Sequence, residues 1–99
     1  MDKINHIQKV LDEVANIGLF ENTNDKINAS KEVYNLLAEY PLNRTLSPKN
    51  QIEKSIFLAL AFLEIGILEA TLFDKVIYKA LFNIEVAYSE LVKQIEVII

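Results

Sequence analysis

The sequence predicts an all-α fold, an antiparallel four-helix bundle, on three observations. Apolar residues recur at intervals of three and four over most of the chain, the spacing of one face of a helix. Glycine and proline, which punctuate turns and break elements, occur only twice each in 99 residues. The chain is 52% apolar, enough for one packed core, and too short for two independent ones.

The first helix is expected over residues 3–17. Ile4, Ile7, Leu11 and Val14 form its stripe and Val10 and Ile17 widen it, while Lys3, Gln8, Lys9, Asp12 and Glu13 fall largely on the other side. Asp2 stands where a carboxylate meets the free N–H groups of a helix start, and Gly18 is a stop. ENTND reads as a loop, with either Asn24 or Ser30 as the next cap; the second helix is placed at 25–40. Its apolar face is Val33, Leu36, Leu37 and Tyr40, joined by Ile27, and Pro41 ends it.

Ser47 followed by Pro48 is a strong start signal, because proline at the first helical position gives up an N–H that has no partner there. The third helix is therefore expected over 48–65, polar outward through Lys49, Asn50, Gln51, Glu53 and Lys54, with Ile52 and Ile56 inward. From Ile56 to Leu63 eight apolar residues run without a break and place hydrophobic groups all round the helix. Gly66 weakens the helix, and Thr71 with Asp74 has the spacing of a capping box. The fourth helix, expected over 72–97, carries Phe73, Ile77, Ala80, Ile84, Ala87, Leu91, Ile95 and Ile98, flanked by Val76, Leu81, Tyr88 and Val92. Polar residues such as Asp74, Lys75, Lys79, Asn83 and Glu85 occupy its other side.

No transmembrane span is expected. A crossing wants about twenty consecutive apolar residues. Here Glu64 and Glu69 would fall inside the segment, each costing roughly 2.5–3.5 kcal/mol in the bilayer. The N-terminal stretch MDKINHIQKVLDEV mixes charge with apolar residues and does not read as a signal peptide. Without cysteine there is no disulfide framework and no sulfur ligand, which fits a cytoplasmic address.

Chemistry finds little footing in these residues, and the chain is not expected to be an enzyme. His6 is the only histidine, and Ser30, Ser47, Ser55 and Ser89 lie in no nucleophile motif. Zinc would have one histidine and carboxylates alone, and the Glu-x-x-His pair of diiron bundles is missing because Lys3 precedes His6 at that spacing. Both glycines stand alone, so no phosphate-binding loop is formed. No cofactor or metal is expected, and Glu64 and Glu69 read as solvent-facing carboxylates near a helix end. Ten basic residues against fourteen acidic ones give a net charge of −4 without a basic block, so no nucleic-acid partner is expected. The nearest to a DNA-reading helix is Lys49, Asn50, Gln51 and Lys54 after Arg44, equally an ordinary solvated first turn.

One feature is left over. Phe57, Leu58, Leu60, Ala61, Phe62 and Leu63 cover more arc than so small a core needs, and the surplus points to a protein partner or to a homodimer through the third or fourth helix. In size, in four helices and in a third helix that leads through a short turn to a fourth of the T-F/Y-start kind, the chain resembles the small helical immunity proteins of lactic acid bacteria, the enterocin A immunity type. The residues that carry the resemblance are IEKSIFLALAFLEIG and ILEATLFDKVIYKALFNI. It departs from that pattern in a fourth helix that stays amphipathic to the last residue, where the family has a flexible polar tail, and in its acidic charge. The resemblance implies a cytoplasmic bacteriocin immunity protein that protects its producer by associating with a membrane receptor complex. The candidate partner-binding residues are then Phe57, Phe62, Leu63, Tyr88, Lys93 and Gln94. The alternative is a small homodimeric regulatory protein that binds a protein or, failing that, DNA.

Overall fold

A computed structural model describes residues 2–39 and 51–98. Four helices make up nearly all of it: α1 (Asp2–Ile17), α2 (Thr23–Ala38), α3 (Gln51–Leu68) and α4 (Phe73–Ile98), with one 3-10 turn, Ala70–Leu72, before α4. The Ser47 cap, the Pro48 start, Tyr40 and the Arg44, Lys49 and Asn50 side chains lie outside the described residues, as do the side chains of Asp2, Lys3, Gln94, Ile95 and Ile98.

Cross-helix contacts give the direction of each helix. His6, near the start of α1, donates from Nε2 to the carbonyl of Leu36 near the end of α2, at 2.6 Å. Gly66, near the end of α3, lies under Val76 and Phe73 at the start of α4. Gly18, just past α1, shares a cavity wall with Phe73. Lys26 in the first turn of α2 pairs with Asp74 in the first turn of α4 at 3.3 Å. Sequential neighbours are thus antiparallel, α2 and α4 start at the same end, and α4 closes the ring against α1. At about 1.5 Å rise per residue a helix of 26 residues is about 39 Å long. This α4 sets the 44 Å long axis of the molecule.

The core follows the stripes read from the sequence. Ile7, Val10, Val14 and Ile17 of α1, Val33 and Leu37 of α2, Ile52, Ile56, Ala59, Leu60 and Leu63 of α3, and Phe73, Val76, Ala80, Ile84, Ala87 and Leu91 of α4 are buried. Ile4, Leu11, Ile27, Leu36, Ile77, Leu81 and Tyr88 lean against them, partly covered.

Several local expectations need correction. Asn22, rather than Asn24 or Ser30, caps α2: its side chain accepts from the Asn24 N–H at 2.7 Å. Ser30 is inside α2, fully buried, and its hydroxyl has no partner among the described residues. Gly18 follows the last residue of α1 as expected, but no glycine has a positive φ, so the stop is not a left-handed cap. Gly66 does not end α3, which continues two residues further to Leu68. It is buried where α4 presses on α3: a Cβ there would lie 2.6 Å from Val76 Cγ2. The connection to α4 is closed by backbone, with the Glu69 N–H on the Ile65 carbonyl at 2.7 Å and the Leu72 N–H on the Glu69 carbonyl at 3.0 Å. Thr71 sits exposed inside that turn.

Candidate protein-interaction groove

The closest seam of the bundle shapes the site. On α3, Ser55, Ala59 and Gly66 share one buried face, and on α4 Val76, Ala80 and Ala87 share the face opposite. At Gly66 the missing side chain lets Val76 and Phe73 of α4 lie directly against α3, and among the described residues α3 and α4 pack more extensively than any other pair of helices. Leu58 and Phe62 on α3, and Tyr78 and Phe82 on α4, wall an open groove of about 440 Å³ on the outer side of this pair, together with Lys79 and Asn83.

Exposure separates these walls from the core. Leu58 is 46% exposed, Phe82 64% and Tyr78 75%, while Phe62 is half-buried and forms the floor. The Lys79 ammonium stands 5.5 Å from the centroid of the Phe62 ring, a cation–π contact of about 0.5–1 kcal/mol at an exposed site. Asn83 Nδ2 donates to the Lys79 carbonyl at 2.8 Å, which orients the amide along its own helix. The groove therefore has apolar walls and one charged group, and that group is a cation.

Of the candidate partner-binding residues Phe62 is brought into this groove, beside Leu58 of the same apolar surplus. Phe57 is also exposed, at 41%, but one residue from Leu58 places it about 100° round the helix, outside the groove lining. Leu63 is corrected: it is fully buried in the core and offers no surface. Ile56, Ala59, Leu60 and Leu63 thus form the inner side of the eight-residue apolar run, and Phe57 and Leu58 its outer side. Tyr88 packs against the core, and Lys93 is exposed and paired with Glu90 at 3.5 Å, three turns beyond Phe82. The Gln94 side chain is outside the described residues. Tyr78 and Phe82 escaped the sequence reading, although both fall at the polar register of the fourth helix, off the Ala80, Ile84, Ala87 and Leu91 stripe.

A second concavity of about 460 Å³ lies between the end of α1 and the start of α4, walled by Val14, Ile17, Phe73, Ile77 and Leu81. Tyr78 belongs to both and forms the ridge between them. The charged groups of this second hollow, Lys26 and Asp74, are paired to each other. Glu64 and Glu69 are exposed. Among the described residues no three His, Asp or Glu side chains gather where they could hold a metal ion. Among them, too, no helix is long and apolar enough to cross a membrane.

The fold and the groove define a class: a small all-α bundle of four helices with an apolar groove on the outer side of its last hairpin. No protein-family model, curated protein or solved structure matches the chain.

Proposed function

We propose that this protein is a non-catalytic protein-interaction module that binds its partner through the outer face of the α3/α4 hairpin. The observation that supports this reading is the exposure of Leu58, Tyr78 and Phe82 around a groove that the core does not need. Contiguous apolar surface rimmed by polar groups is the form an interaction site takes, because covering it releases the water over several large side chains together.

Within that class we propose a bacteriocin immunity protein that acts in the cytoplasm on a membrane receptor complex. Two features support it. The segments that carry the resemblance, residues 52–66 and 67–84, are the ones that build the α3/α4 hairpin, and the groove lies on that hairpin. The four-helix bundle is also the architecture that the resemblance implies. The test is expression in a bacteriocin-sensitive strain, with Phe82→Asp and Tyr78→Asp variants beside the parent chain. Survival that the two variants abolish supports the reading; no gain in survival by the parent chain removes the immunity identity. Light scattering at two concentrations tests the homodimer alternative, since a dimer broken by Phe82→Asp would direct the same face at a second copy.

A further inference from the structure

We propose that the outer face of α4 takes a second copy of this chain, in an antiparallel pair of α4 helices related by a two-fold axis at Phe82. The proposal rests on the interaction reading above and names the occupant that the face takes when the chain is alone. Its basis is the order of residues on either side of Phe82, which is symmetric in apolar character and opposite in charge.

Four residues before Phe82 stands Tyr78, and four after it Val86; three before it is Lys79, and three after it Glu85. At about 100° per residue all four fall within about 60° of Phe82, on the side of α4 turned from the core. Tyr78, Lys79, Phe82 and Glu85 are exposed, and Val86 is half-buried. Ala80 and Ile84, two residues away on either side, are buried on the opposite face and take no part.

An isologous contact brings residue i of one copy to residue j of the other, and j to i. With the axis at Phe82 and the helices antiparallel, the two Phe82 rings meet. Tyr78 comes level with Val86 of the copy and Lys79 with Glu85 of the copy, and each pairing is made twice. Tyr78, Lys79 and Phe82 also line the α3/α4 groove, so the copy covers it. Further out, Lys75 comes level with Ser89, which carries no charge. Asp74 comes level with Glu90, but each is already compensated within its own chain, by Lys26 at 3.3 Å and by Lys93 at 3.5 Å.

This order of charge selects the occupant. A partner of uniform sign gains at Lys79 and loses at Glu85, or the reverse, and an acidic or basic bilayer meets the same conflict. A surface that carries the two charges in reverse order satisfies both, and a copy turned about Phe82 is such a surface.

The experiment is light scattering of the full chain over a wide range of concentration at low salt. One pair of helices is a small interface, so a weak dimer is expected, with a dissociation constant on the order of 10 μM. Lys79→Glu and Glu85→Lys each set like charges level and should weaken it roughly tenfold, from two partly exposed pairs. Mixed in equal amounts, these two variants restore both pairings in a heterodimer and should regain the mass of the parent. Phe82→Ser removes the ring at the axis from both copies and should leave a monomer throughout. Circular dichroism of each variant confirms the fold, which these exposed positions do not threaten.

A parent chain that stays monomeric overturns the inference. If that monomer still protects a sensitive strain and Phe82→Asp does not, the interaction reading stands and the occupant is a different protein. Phe82-dependent binding of the monomer to vesicles of equal phosphatidylglycerol and phosphatidylcholine makes the occupant a membrane surface instead. A dimer indifferent to Phe82→Ser places the contact elsewhere, and a Phe82-dependent dimer that the mixed variants do not restore has another register; either result overturns the inference.

Discussion

Gly66→Ala is the sharpest test of the α3/α4 seam, because two effects of known sign compete there. Alanine in a helix interior is favoured over glycine by about 1 kcal/mol, so a solvent-facing Gly66 would make this substitution stabilising. The new Cβ, however, would lie 2.6 Å from Val76 Cγ2 and 3.6 Å from Phe73 Cδ2. Carbon atoms pack best at about 3.5–4.0 Å, so Val76 or the whole of α4 must withdraw by about 1 Å. Valine is stiff at χ1 and sits in a helix, which leaves little escape by rotation. Overpacking of this kind costs about 1–3 kcal/mol. The net expectation is a loss of about 1 kcal/mol, and as much as 2.

Urea unfolding followed by circular dichroism reads this directly, with a fall in midpoint of about 0.5–1 M for a slope near 1–2 kcal/mol/M. The confirming measurement is the cycle with Val76→Ala. Once Cγ2 is gone, Gly66→Ala should become neutral or stabilising, so the two substitutions couple by about 1–3 kcal/mol. A Gly66→Ala protein more stable than the parent, or a cycle that is additive, would refute the close seam.

The remaining predictions probe the same bundle elsewhere. Gly18→Ala, whose Cβ would meet only the Ala15 carbonyl oxygen at 4.0 Å and which has no positive φ, should raise stability by about 0.4–1 kcal/mol in the same urea assay. Ser30→Ala removes a fully buried hydroxyl without a partner among the described residues and should stabilise by about 1 kcal/mol; a loss would mean that the hydroxyl is satisfied. Leu63→Ala should cost about 2–5 kcal/mol as a core cavity, whereas Phe82→Ser, at an exposed position, should stay within about 0.5 kcal/mol of the parent. His6→Ala removes the cross-helix bond to the Leu36 carbonyl, which keeps only the Glu39 N–H at 3.3 Å, and should lower stability by about 1 kcal/mol, seen as a lower thermal midpoint.

The parts of the fold legible in the sequence are those where apolar spacing has one phase. The α1 and α4 stripes have polar residues between them that fix which side is inner, to within one flank: Val10, Ile17 and Val76, read as flanks, are buried, while Ile4, Leu11 and Ile77, read as the stripe, are partly covered. The run from Ile56 to Leu63 lacks such markers, so its phase was set only by the neighbours that α3 found. Leu63 consequently faced inward, while Leu58 faced out. ENTND offered several side chains able to cap, and Asn22 won because its side-chain Oδ1 accepts from the Asn24 N–H. The bond from His6 to Leu36 joins residues thirty apart and has no local signature. Gly66 was read by its low helix propensity, a local property, when its place is decided by the approach of Val76 from another helix. Phe62 was legible as surplus, but the groove was not, since it needs α3 and α4 in register.

That register also explains why the apolar surplus lies where it does. Gly66 lets Val76 and Phe73 of α4 lie directly against α3, and Leu58, Tyr78 and Phe82 stand outside the buried part of that hairpin. Nothing in the core requires those side chains to be apolar: none of Leu58, Tyr78 and Phe82 belongs to the buried cluster. Glutamine or lysine in their place would leave the buried residues untouched and improve solubility. Leucine, tyrosine and phenylalanine there leave apolar surface in water that the core does not use, beside the Lys79 ammonium over the Phe62 ring.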